Sequence, residues 1–272
     1  MLLKKNYFYL QNGLKEPMTK HMVLPDCQVK PGHDVSYLEW IGKYMVEKKP
    51  DVVVCLGDFA DMESLSTYDY GKKSFEGRRY KADIEASREA MSLLLAPMTR
   101  YNQQQRKNQK AQYRPRMVLT LGNHEERINR AVNDDAKLEG VLSTDDLAYS
   151  EFGWEVYPFL DVVVIGGIAY SHYFVTGVAG RPAGTAAAQL RKTNMSCIAG
   201  HQQGKQIAMA SRADGTRMTS IIVGSAYTHD EDYMGPQGNK HWRGIVMCHE
   251  VNDGAFDEMF VSLDYLKKKY AN

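Results

Sequence analysis

A chain of 272 residues is long enough to bury a sizeable core and reads as one domain. Its apolar and charged fractions of 43% and 25% are ordinary for a globular protein, and a formal charge of +1 excludes a global pull toward nucleic acid or membrane, so any basic footprint has to be local. No apolar run approaches the ~20 residues of a membrane span, and the start, Met1-Leu2-Leu3-Lys4-Lys5-Asn6, turns polar too soon for a secretory signal. Cys27, Cys55, Cys197 and Cys248 lie in or beside apolar runs without a CxxC pair. They read as reduced packing residues of a cytoplasmic protein.

Residues 1–18 read as a polar lead-in. A first strand over 20–24 ends at Pro25-Asp26-Cys27-Gln28. Past the loop 29–32, His33 and Asp34 can cap a helix whose apolar face is Val35, Leu38, Ile41 and Met45; Pro50, after Lys48-Lys49, stops it. The run Val52-Val53-Val54-Cys55-Leu56 is apolar on both faces, the mark of a strand buried in mid-sheet. It breaks at Gly57 and delivers Asp58 into the crevice beyond the strand's carboxyl end, where ligands of open α/β sheets bind. Strand, helix and strand in succession predict a parallel pair with a right-handed crossover.

Residues 62–116 form a long insertion. The part over 64–79 reads as a loop, and a helix from about 80 carries Ile84, Met91, Leu95 and Met98 on one face, with a kink at Pro97. Arg78 and Arg79 are either a solvated pair or a bidentate grip on phosphate. The stretch 100–116 holds Arg100, Arg106, Lys107, Lys110, Arg114 and Arg116, several glutamines and no acidic residue. It is either a solvated helix tail or a basic surface near the site that meets a polyanion.

A third apolar strand ends at Leu121-Gly122-Asn123-His124. A charged surface helix over 125–138 and a short helix after Ser143 follow. From Trp154 the alternation gives way to strand after strand, at 161–165, 168–171, 195–199, 206–210, 220–224, 244–250 and 257–263. These predict a second, mostly antiparallel sheet, interrupted by a stretch over 177–189 that is rich in glycine and alanine. Lys267-Lys268-Lys269 read as a solvated helix end.

Asp26, Gln28, Asp58, Asn123, His172 and His201 all stand at strand ends. A lone histidine after a strand is usually structural, but donors of metal-ligating type at successive strand ends favour a metal site. Asp-x-Gln at 26–28, Gly57-Asp58-x-x-Asp61, Gly122-Asn123-His124-Glu125, a strand-terminal His172 and Gly200-His201-x-Gln203 follow one another over about residues 20–205. In this order and spacing they resemble the calcineurin-like metallophosphoesterases. The resemblance implies an α/β fold, a four-layer α/β/β/α sandwich of two mixed β-sheets flanked by helices. Here it would be a single domain over 1–272 with a loop-plus-helix insertion at about 62–116.

The resemblance also implies a centre of two divalent metal ions. Asp58 would bridge them, Asn123, His172 and His201 would complete one shell, and Asp26, Gln28 and Gln203 the other. A hydroxide bridging the ions would be the nucleophile. His124 would face the substrate and protonate the leaving oxygen or stabilise developing charge, with Asp61 fixing its ring and tautomer; Asp61 as a simple helix cap is the alternative. The family usually carries histidine where this chain has Gln28 and Gln203, and both replacements fall on one ion. An amide oxygen is a harder, weaker ligand than imidazole, so the expectation is one tight and one weak, exchangeable site. Mn is the foremost metal, with Mg, Fe, Zn or Ni as alternatives.

The activity implied is metal-dependent hydrolysis of a phosphate ester, foremost a phosphodiester of nucleotide or nucleic-acid type. The alternatives are a phosphomonoesterase, phosphoprotein phosphatases included, and a non-catalytic scaffold that keeps the fold. The partner is a phosphate-ester substrate, with nucleic acid a candidate and no membrane partner. His229, Asp230, Glu231 and Asp232 could add a polar rim, while His21, His33, His241 and His249 read as structural or surface residues.

Overall fold

The computed structural model describes residues 19–231 and 234–271. The lead-in 1–18 and Asp232 of the expected rim lie outside the described residues. In chain order the elements begin β1 (Thr19–Leu24), α1 (Ser36–Lys48), β2 (Val52–Cys55), α2 (Tyr80–Lys107), β3 (Arg116–Thr120), α3 (Glu126–Asp134) and β4 (Glu155–Tyr157). Short strands β5 (Val163–Ile165), β6 (Ile168–Ser171), β7 (Val175–Thr176) and β8 (Arg181–Pro182) precede α4 (Ala186–Thr193). Then come β9 (Cys197–Ala199), β10 (Gln206–Ser211), β11 (Arg217–Ile222), α5 (Gly235–Gly238), β12 (Gly244–Asn252), β13 (Ala255–Ser262) and α6 (Leu263–Tyr270).

The first sheet runs β13-β12-β1-β2-β3-β4 and the second β10-β11-β9-β6-β5. β1 to β4 are mutually parallel, as strand–helix–strand units demand, whereas β12 and β13 are added antiparallel at the β1 edge. Both sheets are therefore mixed. Strand alternation sorts the core into layers. Val23, Val54 and Val118 face the second sheet and meet Ile168, Tyr170, Ile198 and Ile221. Met22, Val53, Cys55 and Leu119 point the other way, onto Leu38 and Ile41 of α1, Met91 and Leu94 of α2, and Leu266 of α6. Each such aliphatic side chain, wholly buried, stabilises the fold by about 1.5–3 kcal/mol. α4 covers the outer face of the second sheet at β9, β10 and β11. The result is helices, sheet, sheet and helix: the α/β/β/α order.

Four expectations need correction. The strands over 244–252 and 255–262 belong to the first sheet, because apolar Val246 and Met247 find partners in Val23 and Met22 of β1. The second sheet holds as many parallel as antiparallel pairings, since β9 lies parallel to both β6 and β11. Helix α4 occupies the end of the stretch read only as glycine- and alanine-rich, capped by Thr185, whose hydroxyl accepts from the Ala188 N–H. The basic stretch 100–116 is not near the site: it ends where β3 begins, at the amino-terminal edge of the parallel strands. α2 itself runs through Pro97 as one helix.

Candidate active site

The carboxyl ends of β1, β2 and β3 meet those of β6 and β9 at one end of the sandwich. The chain leaves these strands under constraint. Gln28, Asp58 and His201 have φ of 41°, 47° and 67°, in the left-handed region that costs a side-chain-bearing residue on the order of 1–3 kcal/mol. Backbone bonds hold them there: the N–H groups of Cys27 and Gln28 both donate to the Asp58 carbonyl, at 3.0 and 2.8 Å. Two glycines are needed for room. A Cβ on Gly122 would land on the Asp58 carboxylate, and one on Gly200 would land on that of Asp26.

Four donor atoms converge. Asn123 Oδ1 lies 2.9 Å from His172 Nε2 and 2.7 Å from His201 Nδ1, and Asp58 Oδ2 is 3.3 Å from His172 Nε2. Asp58, His172 and His201 together form a grouping able to hold a metal ion. His172 donates its Nδ1–H to the Leu56 carbonyl at 2.7 Å, which turns the Nε2 lone pair toward Asn123 and Asp58. The polar atoms that face its two nitrogens, the Leu56 carbonyl, Asn123 Oδ1 and Asp58 Oδ2, are all acceptors, so the site asks for positive charge. Burial lowers the His172 pKa, but Asp58 and Asp26 outweigh it and push it up to about 9. His201 has no such compensation; burial and then His172 bring it down to about 4.

Alongside lies a second set. Asp26 uses Oδ1 to accept from the His201 N–H at 2.9 Å, while its Oδ2 and Gln28 Oε1 are buried without a hydrogen-bond partner. An orphaned buried acceptor costs roughly 1–3 kcal/mol, and two of them beside a buried carboxylate fit a hard cation. Burial and the neighbouring Asp58 push the Asp26 carboxyl up, the cost of two buried carboxylates facing each other. Asp58 itself is raised by burial but held below the usual carboxylate range by His124 and His172. Gln203 Oε1, unlike Asp26 Oδ2 and Gln28 Oε1, has a partner: it accepts the Tyr227 hydroxyl at 2.8 Å.

His124 is placed by its own backbone, whose N–H donates to Asp58 Oδ1 at 2.8 Å. Its Nδ1 is 2.7 Å from Asp61 Oδ1, and its Nε2 lies 3.7 Å from Asp58 Oδ2. Asp61 is buried and heavily engaged. Arg127 Nη1 donates to Oδ1 at 3.0 Å, and Lys30 Nζ pairs with Oδ2 at 3.0 Å. Burial raises the Asp61 carboxyl, but His124, Lys30 and Arg127 overcome it and hold it well below the carboxylate range. For His124 burial lowers the pKa, and Asp58 and Asp61 raise it past the ordinary histidine value.

Several of these groups carry no signal of their own role in the sequence, and Glu125 is marked there only as the last residue of the motif at 122–125. Glu125 falls in a helix read as a charged surface, yet it is wholly buried and accepts from the N–H groups of Asp58, Ala60 and Gly122 at 2.9, 3.1 and 2.9 Å. It fastens the β2 and β3 loops together. Arg127, in the first turn of α3, sits three residues after His124, and its Nη2 is 3.3 Å from His124 Nε2. Lys30 also holds Glu231 at 2.6 Å, and nothing near it in sequence announces that pair. Arg130 is exposed and donates to the Asn123 carbonyl at 2.6 Å. The Tyr173 ring, half-buried, lies 4.7 Å from that of His201 and 5.5 Å from that of Phe159.

Arg78 and Arg79 are not among the converging groups. Arg78 spends its guanidinium on Asp69 and Glu63, at 2.9 and 3.4 Å, and Arg79 is exposed and donates to the Arg78 carbonyl. All four cysteines are free and buried, and Cys27 turns from the ligand side into the helix-facing core. No helix among the described residues is long and apolar enough to cross a membrane.

No curated protein matches the chain. Among solved structures, a conserved uncharacterized protein of Streptococcus pneumoniae TIGR4, described as a predicted phosphoesterase, aligns over 90% of this chain and 99% of its own, at 12% identity. Its TM-score of 0.32 is too low to bear on the fold. The calcineurin-like phosphoesterase family matches residues 20–245. That span holds every strand end described above, and the chain belongs to the calcineurin-like phosphoesterase family, a family of metal-dependent phosphoester hydrolases.

Proposed function

We propose that the protein is a phosphodiesterase acting on nucleotides or nucleic acid. The observation that carries the reading is the convergence of Asp58, Asn123, His172 and His201 beside the partnerless oxygens of Asp26 and Gln28, with His124 against them. Asp58, Asn123, His172 and His201 would hold one divalent ion; Asp26, Gln28 and Asp58, with Gln203, would hold the other. Two such cations supply Lewis acidity toward a phosphoryl oxygen and lower the pKa of water at the site.

The chain's own residues do the rest. Asp61 accepts the Nδ1–H of His124 and so leaves Nε2 to serve the leaving oxygen, the arrangement a general acid requires. Arg127, on Asp61 and beside Nε2, keeps that ring from turning. A diester is favoured over a monoester by the supply of positive charge. Lys30, Arg78 and Arg127 are each committed to carboxylates, which leaves Arg130 as the exposed cation beside Asn123. A phosphomonoester brings up to two negative charges at neutral pH, a diester one. The Tyr173 ring beside His201, with Phe159 against it, offers a face on which a base can stack, which favours a nucleotide ester.

Mn²⁺ is the metal we expect, because amide and carboxylate oxygens dominate the second set. The free, buried cysteines suit a reducing, cytoplasmic setting. Diester turnover should vanish in EDTA and return with Mn²⁺. In Tyr173→Ala, KM for a dinucleotide should rise about tenfold through lost stacking. Turnover of no phosphate ester in Mn²⁺, Mg²⁺, Zn²⁺ or Ni²⁺ would overturn the reading and leave a scaffold.

A further inference from the structure

We infer that the pole of the first sheet opposite the site is a docking surface for the phosphate backbone of a nucleic acid. Three helices end there together. Near the end of α1, Glu47 takes Lys269 and the Tyr270 hydroxyl of α6, each at 2.6 Å. Lys49 donates to the Tyr101 hydroxyl of α2 at 2.6 Å, and the Tyr113 hydroxyl donates to the Pro50 carbonyl at 2.7 Å. Arg116 then opens β3 in register with Val52, the first residue of β2. The six residues of β1 separate this pole from the ligand cluster, a distance of about 20 Å.

The charge there is one-sided. Arg100 and Arg116 are paired with Glu39 and Glu155. Arg106, Lys107, Lys110 and Arg114 are exposed and have no carboxylate partner among the described residues, as are Lys267 and Lys268 of α6. Of the acids beside it, Glu47 is paired with Lys48 and Lys269 and Asp51 accepts the Lys20 N–H, while the exposed Glu250 and Asp253 stand at the β12–β13 turn, separated from β3 by β1 and β2. Cations in the last turn of a helix are favoured by its dipole, which accounts for Arg106 and Lys107. It does not account for Lys110 and Arg114, which lie beyond the end of α2.

What lies between these charges selects the partner. Gln103, Gln104, Asn108 and Gln109 are exposed among the arginines and lysines, and side-chain amides join Lys and Arg in contacting phosphate oxygens. An anionic membrane surface is held more firmly where apolar side chains insert as well, and the stretch 100–116 has no large exposed one. In a chain whose charges as a whole nearly cancel, this pole is a local field for a polyanion. The surface stands apart from whatever the site cleaves.

The test uses the full chain carrying Asp58→Asn, so that no DNA is consumed, with a fluorescent 30-base-pair duplex titrated at several salt concentrations. Engagement of the four residues of 106–114 that lack a carboxylate partner predicts a slope of log K against log salt of about −4. Replacing Arg106, Lys107, Lys110 and Arg114 with Glu should weaken binding by at least about tenfold, and the milder set with Gln should fall between. In the chain with Asp58 intact, both sets should leave turnover of a small diester unchanged. Equal DNA binding by the variants would overturn the inference, as would no binding at 50 mM salt. Binding to phosphatidylserine vesicles without binding to DNA would also overturn it, in favour of a membrane surface.

Discussion

Gln28 and Gln203 stand where imidazoles would bind a soft cation more strongly, and the structure treats the two differently. Gln28 Oε1 is buried and partnerless, whereas Gln203 Oε1 already accepts from Tyr227. An ion beside Asp26 would therefore gain one amide oxygen without competition and a second only shared with a hydroxyl. We expect two Mn²⁺ ions to bind EDTA-treated protein with unequal affinities in calorimetry; equal affinities would count against the assignment. Gln28→His should raise the affinity of the weaker site for Zn²⁺ by at least about tenfold, since imidazole suits zinc better than an amide does. Asp58 is the residue both ions would share, and no conservative change should spare either of them.

At the scale of the element, Glu125 is what makes two loops one site. Its carboxylate collects three backbone donors from the turns after β2 and β3, and Tyr149 adds its hydroxyl at 3.3 Å. Glu125→Ala would leave those donors buried and orphaned. The stability loss should be roughly 3–5 kcal/mol, which lowers Tm by roughly 10 °C in a chain of this size. Urea denaturation of this variant against Glu125→Gln measures it, and the amide, which keeps the shape and one acceptor, should lose less. How far the elements were legible follows from the same physics. Strands buried on both faces, such as 52–55, announce themselves by apolar runs, and their ends pointed to Asp26, Asp58 and Asn123. Which sheet β12 joins was not legible, because an apolar strand carries no mark of its partner until the chain packs. Glu125 was read as surface because a charge in a helical pattern is usually solvated; only the three-dimensional meeting of two loops reveals its donors. Lys30 and Glu231 pair across the whole chain, beyond the reach of any local pattern.

At the scale of the molecule, two sheets meet face to face, and His21 is one of the polar groups trapped at their junction. His21 is wholly buried, with Nδ1 2.7 Å from the Tyr170 hydroxyl and Nε2 3.0 Å from Thr19 Oγ1. Burial is the main cause that brings its pKa down to about 4. The unfolded chain, with an ordinary histidine value near 6.5, then binds a proton more readily than the folded one. The contribution is present in full above pH 6.5 and is lost as pH falls from there toward 4, by about 3 kcal/mol. Measured as unfolding free energy against pH, His21→Gln should show a shallower acid limb over that window than the native chain. Parallel limbs would mean that His21 titrates alike in both states. The same whole-molecule view separates the two poles: the site at the carboxyl ends of the strands, the basic surface at their amino ends.

The proposed function is that of a metal-dependent phosphodiesterase built on Asp58 and His124. Its most direct test is hydrolysis of bis(p-nitrophenyl) phosphate against p-nitrophenyl phosphate in Mn²⁺, for the native chain, Asp58→Asn and His124→Ala. The account predicts preference for the diester, loss of turnover in Asp58→Asn, and a fall of roughly 10²–10⁴-fold in kcat for His124→Ala. Preference for the monoester, or turnover that survives both substitutions, would contradict it.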